Sequence, residues 1–496
     1  MQGLSKVALF AATFWVLTVQ AQPNVLLILA DDLGWNDVGF HGSEIRTPNL
    51  DSLALTGVVL NQYHSQPTCS PTRAALMTGK SPQRLGIYQQ FAKYATQGLP
   101  VQEKTLGDYL QTLGYQTWLI GKWHLGYAKR VFHPNSRGFD HFYGHVTGGI
   151  GYWDHVHGGG YDWQRNGTTV RDQGYATHLL AKEAVDLIKK RDDKRPFFLF
   201  ASFNAPHLPN EAPAPAISEY AHIDNPFRRI HAAMVTELDR SVGQIIQALK
   251  AEGEYENTLI WFMSDNGGLN REASLGPVSL SENLQGMFGK PLPIKILEFI
   301  RTNTLDGGSD NTPLRYGKGS VYEGGTRVPS FTHWPGQLPA HRTDEFVTAQ
   351  DVLPTILNLI GAGYPDELDG SSRRSALLNQ PSSAPNDYVT ISQYGDQAYY
   401  RWPWKLISMG DRVELYNLID DPLETKSLAD QETHLVEDLK NQLDTIPRAP
   451  SLHIPLYKVL WDPDFFGGKE DRPPWAERTV LDSTRPSSTS NSGAIQ

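Results

Sequence analysis

Cysteine is all but missing from this chain: Cys69 is the only one among 496 residues. No intrachain disulfide can form, so stability must come from a buried core, and a chain this long buries ample surface to supply one. Long apolar runs are also missing, apart from VALFAATFWVLTV at Val7–Val19. That run falls short of the roughly 20 apolar residues that a membrane-spanning helix needs. It follows Lys6 and leads into Val19-Gln20-Ala21. A positive start, a short apolar stretch and a small-residue exit are the pattern of a secretory signal peptide, here residues 1–21. The expectation is a secreted or periplasmic protein with no membrane attachment after cleavage. Lysine- and arginine-rich runs are missing too, and 44 basic against 54 acidic residues leave a formal charge of −10. Nucleic acid is thereby excluded as a partner. An anionic substrate would have to be held by cations gathered locally against an unhelpful overall field. No internal repeat is visible.

Four apolar runs are rich in β-formers, and each ends in polar residues. NVLLILADD ends at Asp31 and Asp32, TWLIGKWH at Lys122 and His124, PFFLFASFNAPH at His207, and NTLIWFMSDNGG at Asp265 and Asn266. Helical patterns lie between them, over 47–55, 105–113, 177–190 and 237–251. This alternation predicts an α/β fold: a large, mostly parallel sheet sandwiched by helices. Ligands in such folds sit beyond the carboxyl ends of the strands, where all of these polar residues fall. After about residue 381 the texture changes to short aromatic runs, DYVTISQY, AYYRWPWKLIS and VELYNL, then a helical LVEDLKNQL. These predict a smaller C-terminal α+β subdomain with an antiparallel sheet, over 381–447. The main domain is expected over 22–380, with an insertion or lid at 270–311. A C-terminal extension at 448–496 ends in a Ser/Thr-rich, disordered tail.

Cys69 stands in QPTCSPTRAALMTG, Gln66–Gly79. Pro71 suits a helix's first turn, and RAALMTG reads as a helix with a glycine stop, so Cys69 sits at a helix N-terminus. An arbitrary lone cysteine is a small buried hydrophobe; in an oxidising compartment an unpaired one is reactive or deliberately placed. Arg73 lies one turn further on. Asp31, Asp32, Asp265 and Asn266 offer only oxygen ligands, which suit a hard cation such as calcium or magnesium. An isolated Asp-Asp or Asp-Asn pair is ordinarily a turn or cap, but two such pairs at buried strand ends point to a metal. Asp310-Asn311, preceded by Gly-Gly-Ser, lacks a strand to aim it. Lys122 and His124 are two apart and face one side of an extended segment.

Cys69-x-Pro71-x-Arg73, with Leu76, Thr78 and Gly79, resembles the signature of the type I, formylglycine-dependent sulfatases of the alkaline-phosphatase superfamily. LLILADDLGWNDVG, IGKWHLG, SRGFDHFYG, MSDNGG and YGKGSVYEGGTRVP look like further blocks of that family, in its order, from Pro23 to about Leu428. The opening GWNDVGFHGS looks like the arylsulfatase B branch, with its N-acetylgalactosamine 4-sulfatases. The resemblance implies a sulfuric ester hydrolase acting on sulfate monoesters of a carbohydrate, as in polysaccharide degradation. It implies that a maturation enzyme converts Cys69 to formylglycine, whose hydrate attacks sulfur with one oxygen and expels sulfate through the other. It also implies one calcium ion on Asp31, Asp32, Asp265, Asn266 and an oxygen of the converted residue 69. Lys122 and Lys318 would clamp the sulfate, Arg73 would steady the hydrate, His124 would start the elimination, and His207 would be the acid for the leaving alcohol. Alone, any such lysine or histidine is a solvated or capped side chain; their shared location argues otherwise.

Other clusters say less. GYWDHVHGGGYDW at Gly151–Trp163 is expected to wall the substrate pocket with rings that stack on sugars; His155-x-His157 lacks a third ligand for a transition metal. Asn166-Gly167-Thr168 is a glycosylation sequon. Two rival readings are a phosphate mono- or diesterase of the same superfamily, against which Lys318 argues, and a non-catalytic carbohydrate-binding relative in which Cys69 stays a thiol.

Overall fold

The computed structural model describes residues 22–92, 95–157, 160–270, 307–382, 387–392 and 395–453. The expected signal peptide, most of the expected insertion and the Ser/Thr-rich tail lie outside the described residues. The body is built on a ten-stranded mixed sheet. Its centre is five parallel strands in the order Thr258–Ser264, Asn24–Ala30, Phe197–Ser202, Gln116–Lys122 and His141–His145. Antiparallel pairings flank this centre on both sides.

Strand period two explains why these runs read as continuously apolar. In the Asn24–Ala30 strand, Leu26, Ile28 and Ala30 enter one core while Val25, Leu27 and Leu29 enter the other. Helices Pro48–Leu55, Ala176–Lys190 and Pro226–Ala251 supply residues to the first core. Helices Cys69–Thr78, Leu106–Thr112 and Val352–Leu359 supply the second. Thr105 opens its helix with a reciprocal capping box to Asp108. The Pro226–Ala251 helix starts eleven residues before the expected 237: Asn225 accepts from the Phe227 and Arg228 N–H groups, and Pro226 fills the first turn.

The C-terminal sheet has four antiparallel strands, Asp387–Ile391, Gln397–Arg401, Trp404–Met409 and Arg412–Asn417. Tyr388, Ala398, Tyr400 and Ile407 on one face pack with Val321, Tyr322 and Phe346 of the main body. The other face takes Leu439 and Leu443 from helix Thr433–Thr445. Among the described residues no helix is long and apolar enough to cross a membrane.

Candidate active site

Four of the five parallel strands end together, and the backbone ties tips among them. The Asp31 N–H donates to the Ala205 carbonyl at 3.1 Å, and the Asp265 N–H to the Ala30 carbonyl at 3.1 Å. Asp32 leaves the strand at φ 63°, its N–H on Asp265 Oδ1 at 3.2 Å. Holding a non-glycine residue in the left-handed region costs energy, and such strain gathers where a side chain must be aimed.

Helix Cys69–Thr78 begins at the expected residue and ends at Gly79, whose φ of 66° a glycine tolerates. Cys69 is buried, its Sγ 3.7 Å from Asp31 Oδ1. One turn on, Arg73 reaches back beneath the tips. Its Nε meets Asp265 Oδ2 at 3.0 Å, and its Nη1 meets the Lys122 carbonyl at 2.9 Å and Ser202 Oγ at 2.7 Å. Lys122 Nζ lies 2.7 Å from Asp31 Oδ2. Lys318 Nζ lies 2.7 Å from Asp32 Oδ2, and His207 Nε2 is 3.6 Å from the same oxygen. Residues scattered from 31 to 318 therefore converge on two adjacent carboxylates.

His124 joins this group differently from the expected alternation. The strand stops at Lys122, and His124 takes φ 58°, with Nε2 3.0 Å from the Phe91 carbonyl. Its own carbonyl accepts from Ser70 Oγ at 2.9 Å, which ties it to the residue after Cys69. Gly148 packs so closely on the imidazole that a Cβ there would sit 2.7 Å from the ring. Of the Gly151–Trp163 stretch, Tyr152, Tyr161 and Trp163 are buried, with His155 stacked on Trp163; Trp153 is half exposed. Most of those rings are core. Asn166 turns a hairpin at φ 50°, its Oδ1 accepting from the Phe142 N–H.

The electrostatics are those of a crowded, dry site. Burial first and the Asp265 carboxylate second push Asp31 up to about 8, against Lys122 and Arg73. Burial opposes ionisation of Asp32 as well, but Lys318, His207 and Lys122 hold it below the usual carboxylate range. Burial pushes the Cys69 thiol up to about 12. Burial, reinforced by Lys318, drives His207 well below its ordinary value.

Asp31, Asp32, Cys69 and His207 each present one ligand atom, all within 4.8 Å of one another. Asn266 donates its Nδ2 to Asp32 Oδ1 at 2.7 Å, which leaves Oδ1 buried without a partner. A buried, unsatisfied amide oxygen beside two carboxylates is a donor set for a hard cation, so the residues fit such an ion. Asp310 and Asn311 serve the scaffold: Asn311 clasps both backbone groups of Gly268, and the Asp310 Oδ2 accepts from Asn36. Sequence reasoning passed over Ser202, which braces Arg73. Its signal was its place at the end of strand Phe197–Ser202, the run that leads to His207.

Comparison with known proteins follows this geometry. Residues 23–362 match the family described as Sulfatase, and residues 315–449 match N-sulphoglucosamine sulphohydrolase, C-terminal. Mouse arylsulfatase J is 35% identical over 364 residues, which cover 71% of this chain and 55% of that protein. Dog N-acetylgalactosamine-6-sulfatase is 32% identical over 420 residues, 77% of this chain and 72% of that protein. The crystal structure of Ps i-CgsB in complex with k-i-k-neocarrahexaose is 32% identical, with a TM-score of 0.76, covering 89% of this chain and 97% of that one.

Proposed function

The chain belongs to the sulfatase family, and from that premise we propose that it hydrolyses sulfate monoesters of a carbohydrate to an alcohol and inorganic sulfate. The relatives named above include a sulfatase for an amino sugar and a protein crystallised with an oligosaccharide, which favours a sugar ester. The observation that carries the reading is the paired grip at the strand tips. Two adjacent carboxylates each hold a lysine at 2.7 Å, from separate segments, beside a buried residue 69.

Asp31, Asp32, Asp265 and Asn266 are the residues that would hold calcium, which would supply positive charge to a sulfate oxygen. Conversion of Cys69 to formylglycine by a maturation enzyme would supply two oxygens on one carbon, one to take the sulfuryl group and one to expel it. Burial pushes the Cys69 thiol up to about 12, so the unconverted thiol is protonated at neutral pH and a poor nucleophile. Lys122 and Lys318 exchange part of their carboxylate contact for sulfate oxygens, spreading charge that builds on sulfur. Arg73, fixed by three partners, orients residue 69. His124 receives the proton that starts the elimination; with Nε2 directed at the Phe91 carbonyl, Nδ1 is the basic nitrogen of the neutral ring. His207 gives its proton to the leaving alcohol, and an incoming anionic ester restores the proton affinity that burial and Lys318 take away. The apolar start at Val7–Val19 supports export to a secreted or periplasmic location.

The test compares 4-nitrophenyl sulfate with 4-nitrophenyl phosphate, alongside a peptide mass at residue 69. The expected result is formylglycine at 69 and a kcat/KM for the sulfate at least ~100-fold above its phosphate twin. A preference for phosphate would establish the esterase alternative. An unconverted thiol, in a host that carries the maturation enzyme, together with sugar binding and no turnover would establish the binding-protein alternative.

A further inference from the structure

The Lys122–Asp31 ion pair joins the two strands that flank Phe197–Ser202, and it therefore crosses the tip of that central strand. Asn204 sits at that tip. The ladder continues past Ser202: the Phe203 N–H donates to the Leu29 carbonyl and the Asp31 N–H to the Ala205 carbonyl. Phe203 and Ala205 both enter the core on the Pro226–Ala251 side of the sheet. Alternation then turns Asn204 to the opposite side, the side of Ser202, whose Oγ meets Arg73. Asn204 is 1% exposed, yet neither its Nδ2 nor its Oδ1 makes a well-formed hydrogen bond, the Tyr152 hydroxyl interacting with the side chain only loosely. Its backbone carbonyl, by contrast, is used by Tyr152 Oη and by the His207 N–H.

A carboxamide with no full hydrogen bond is a costly case among buried polar groups, since it has given up water for little in return. Apolar side chains fill that strand from Phe197 to Ala201, so packing alone does not call for an amide. We propose that Asn204 is a substrate-contacting residue, whose Nδ2 donates to an oxygen of the sulfuryl group held between Lys122 and Lys318. Being neutral, it adds a directed donor without competing with the lysines for Asp31. The assignment rests on the sulfatase reading, and the experiment separates the two.

Inorganic sulfate binding is measured by calorimetry on the calcium-supplemented full chain and on Asn204→Leu, Asn204→Ala and Asn204→Asp. Thermal midpoints and turnover of 4-nitrophenyl sulfate are followed in parallel. The expected result is sulfate binding weakened about 5- to 10-fold in Asn204→Leu and Asn204→Ala. It is weakened further in Asn204→Asp, where like charge faces the anion, and the midpoints of the apolar variants stay equal or rise. Removal of an amide that the fold does not use costs the fold nothing; a structural residue would instead lower the midpoint along with binding, and that result overturns the assignment. So does sulfate affinity within 2-fold of the unsubstituted chain in Asn204→Leu and Asn204→Asp alike, which would leave only an ordered water on the amide. If sulfate binding responds as expected while the unsubstituted chain fails to turn over sulfate esters, Asn204 stands and the sulfatase reading falls.

Discussion

Two of the buried charge clusters among the described residues are finished to different degrees. Beneath the C-terminal sheet, Lys405 Nζ meets Glu323 Oε1 at 2.9 Å and Glu424 Oε1 at 2.6 Å. His64 Nε2 meets Glu323 Oε2 at 3.0 Å, and Glu424 Oε2 accepts the Glu323 N–H at 2.8 Å. Every carboxylate oxygen there has a partner. At the strand tips the charges are equally buried and equally paired, but Asn266 Oδ1 and both polar atoms of Asn204 are left over. A low dielectric makes an unpaired polar atom costly, so a fold that saturates one cluster and leaves the other short has reserved the second for something that arrives. Here the cluster whose carboxylates are all partnered braces the C-terminal sheet, and the one with amide atoms left over lies at the strand tips.

The strongest test of this contrast is Cys69→Ala. Turnover should fall by about 10⁴-fold or more, because the nucleophile is gone. The thermal midpoint should stay within a few degrees, since the thiol has one long contact, 3.7 Å to Asp31. A large fall in midpoint would make the strand-tip cluster structural as well. Lys405→Met should do the reverse. It strands Glu323 and Glu424 facing each other in the dark of the interface, at a cost of about 3–5 kcal/mol in urea unfolding. Neutralising both partners in Lys405→Met/Glu323→Gln/Glu424→Gln should recover much of that loss. If it does not, the cluster holds the fold by something other than its charges.

A third and smaller effect separates the clusters by metal. A chelator followed by calcium should lower and then restore the thermal midpoint, the calcium contributing about 2.7 kcal/mol at a hundredfold excess over its Kd. Asp265→Asn should blunt this response, whereas Glu424→Gln should leave it intact. Equal responses in the two variants would remove the distinction between reserved and finished sites.

The two clusters also differ in how well the sequence announces them. Asp31, Lys122, His207 and Asp265 each follow an apolar run, so parallel-sheet topology brings them together, and nine of the ten expected site residues meet side chain to side chain. His124 does not follow its run by alternation, because the strand ends at Lys122 and the chain turns at the positive φ of His124. Lys405 gives no such signal. It stands in RWPWKLIS as any solvent-facing lysine of an edge-like strand would, and its partners lie 82 residues earlier and 19 later. The early start of the Pro226–Ala251 helix was obscured for a related reason. Arg228, Arg229 and His231 crowd a helix N-terminus that disfavours cations, and they are accepted there because Asp37 pairs with Arg228 and, at 2.9 Å, with His231. Strand ends are local in sequence; ion-pair partners are not.

The smallest effect lies inside the finished cluster, and it has a definite sign. Burial pushes the Glu424 carboxyl up to about 7, Lys405 opposing and Glu323 adding, while Lys405 and His64 hold Glu323 below its usual range in spite of its burial. The two acids share one lysine and titrate as a pair, with Glu323 keeping the charge. A carboxyl raised on folding binds its proton more tightly in the native state than in the unfolded one, so stability falls as pH rises from the unfolded value near 4.5 to about 7, then levels. Glu424→Gln abolishes this slope, because an amide stands permanently for the protonated acid. Urea unfolding at pH 5 and pH 8 should show the parent losing up to ~3 kcal/mol more than the variant across that interval. A parent that gains stability relative to Glu424→Gln over the same interval would show both carboxylates ionised in the fold, with Lys405 strong enough to hold two.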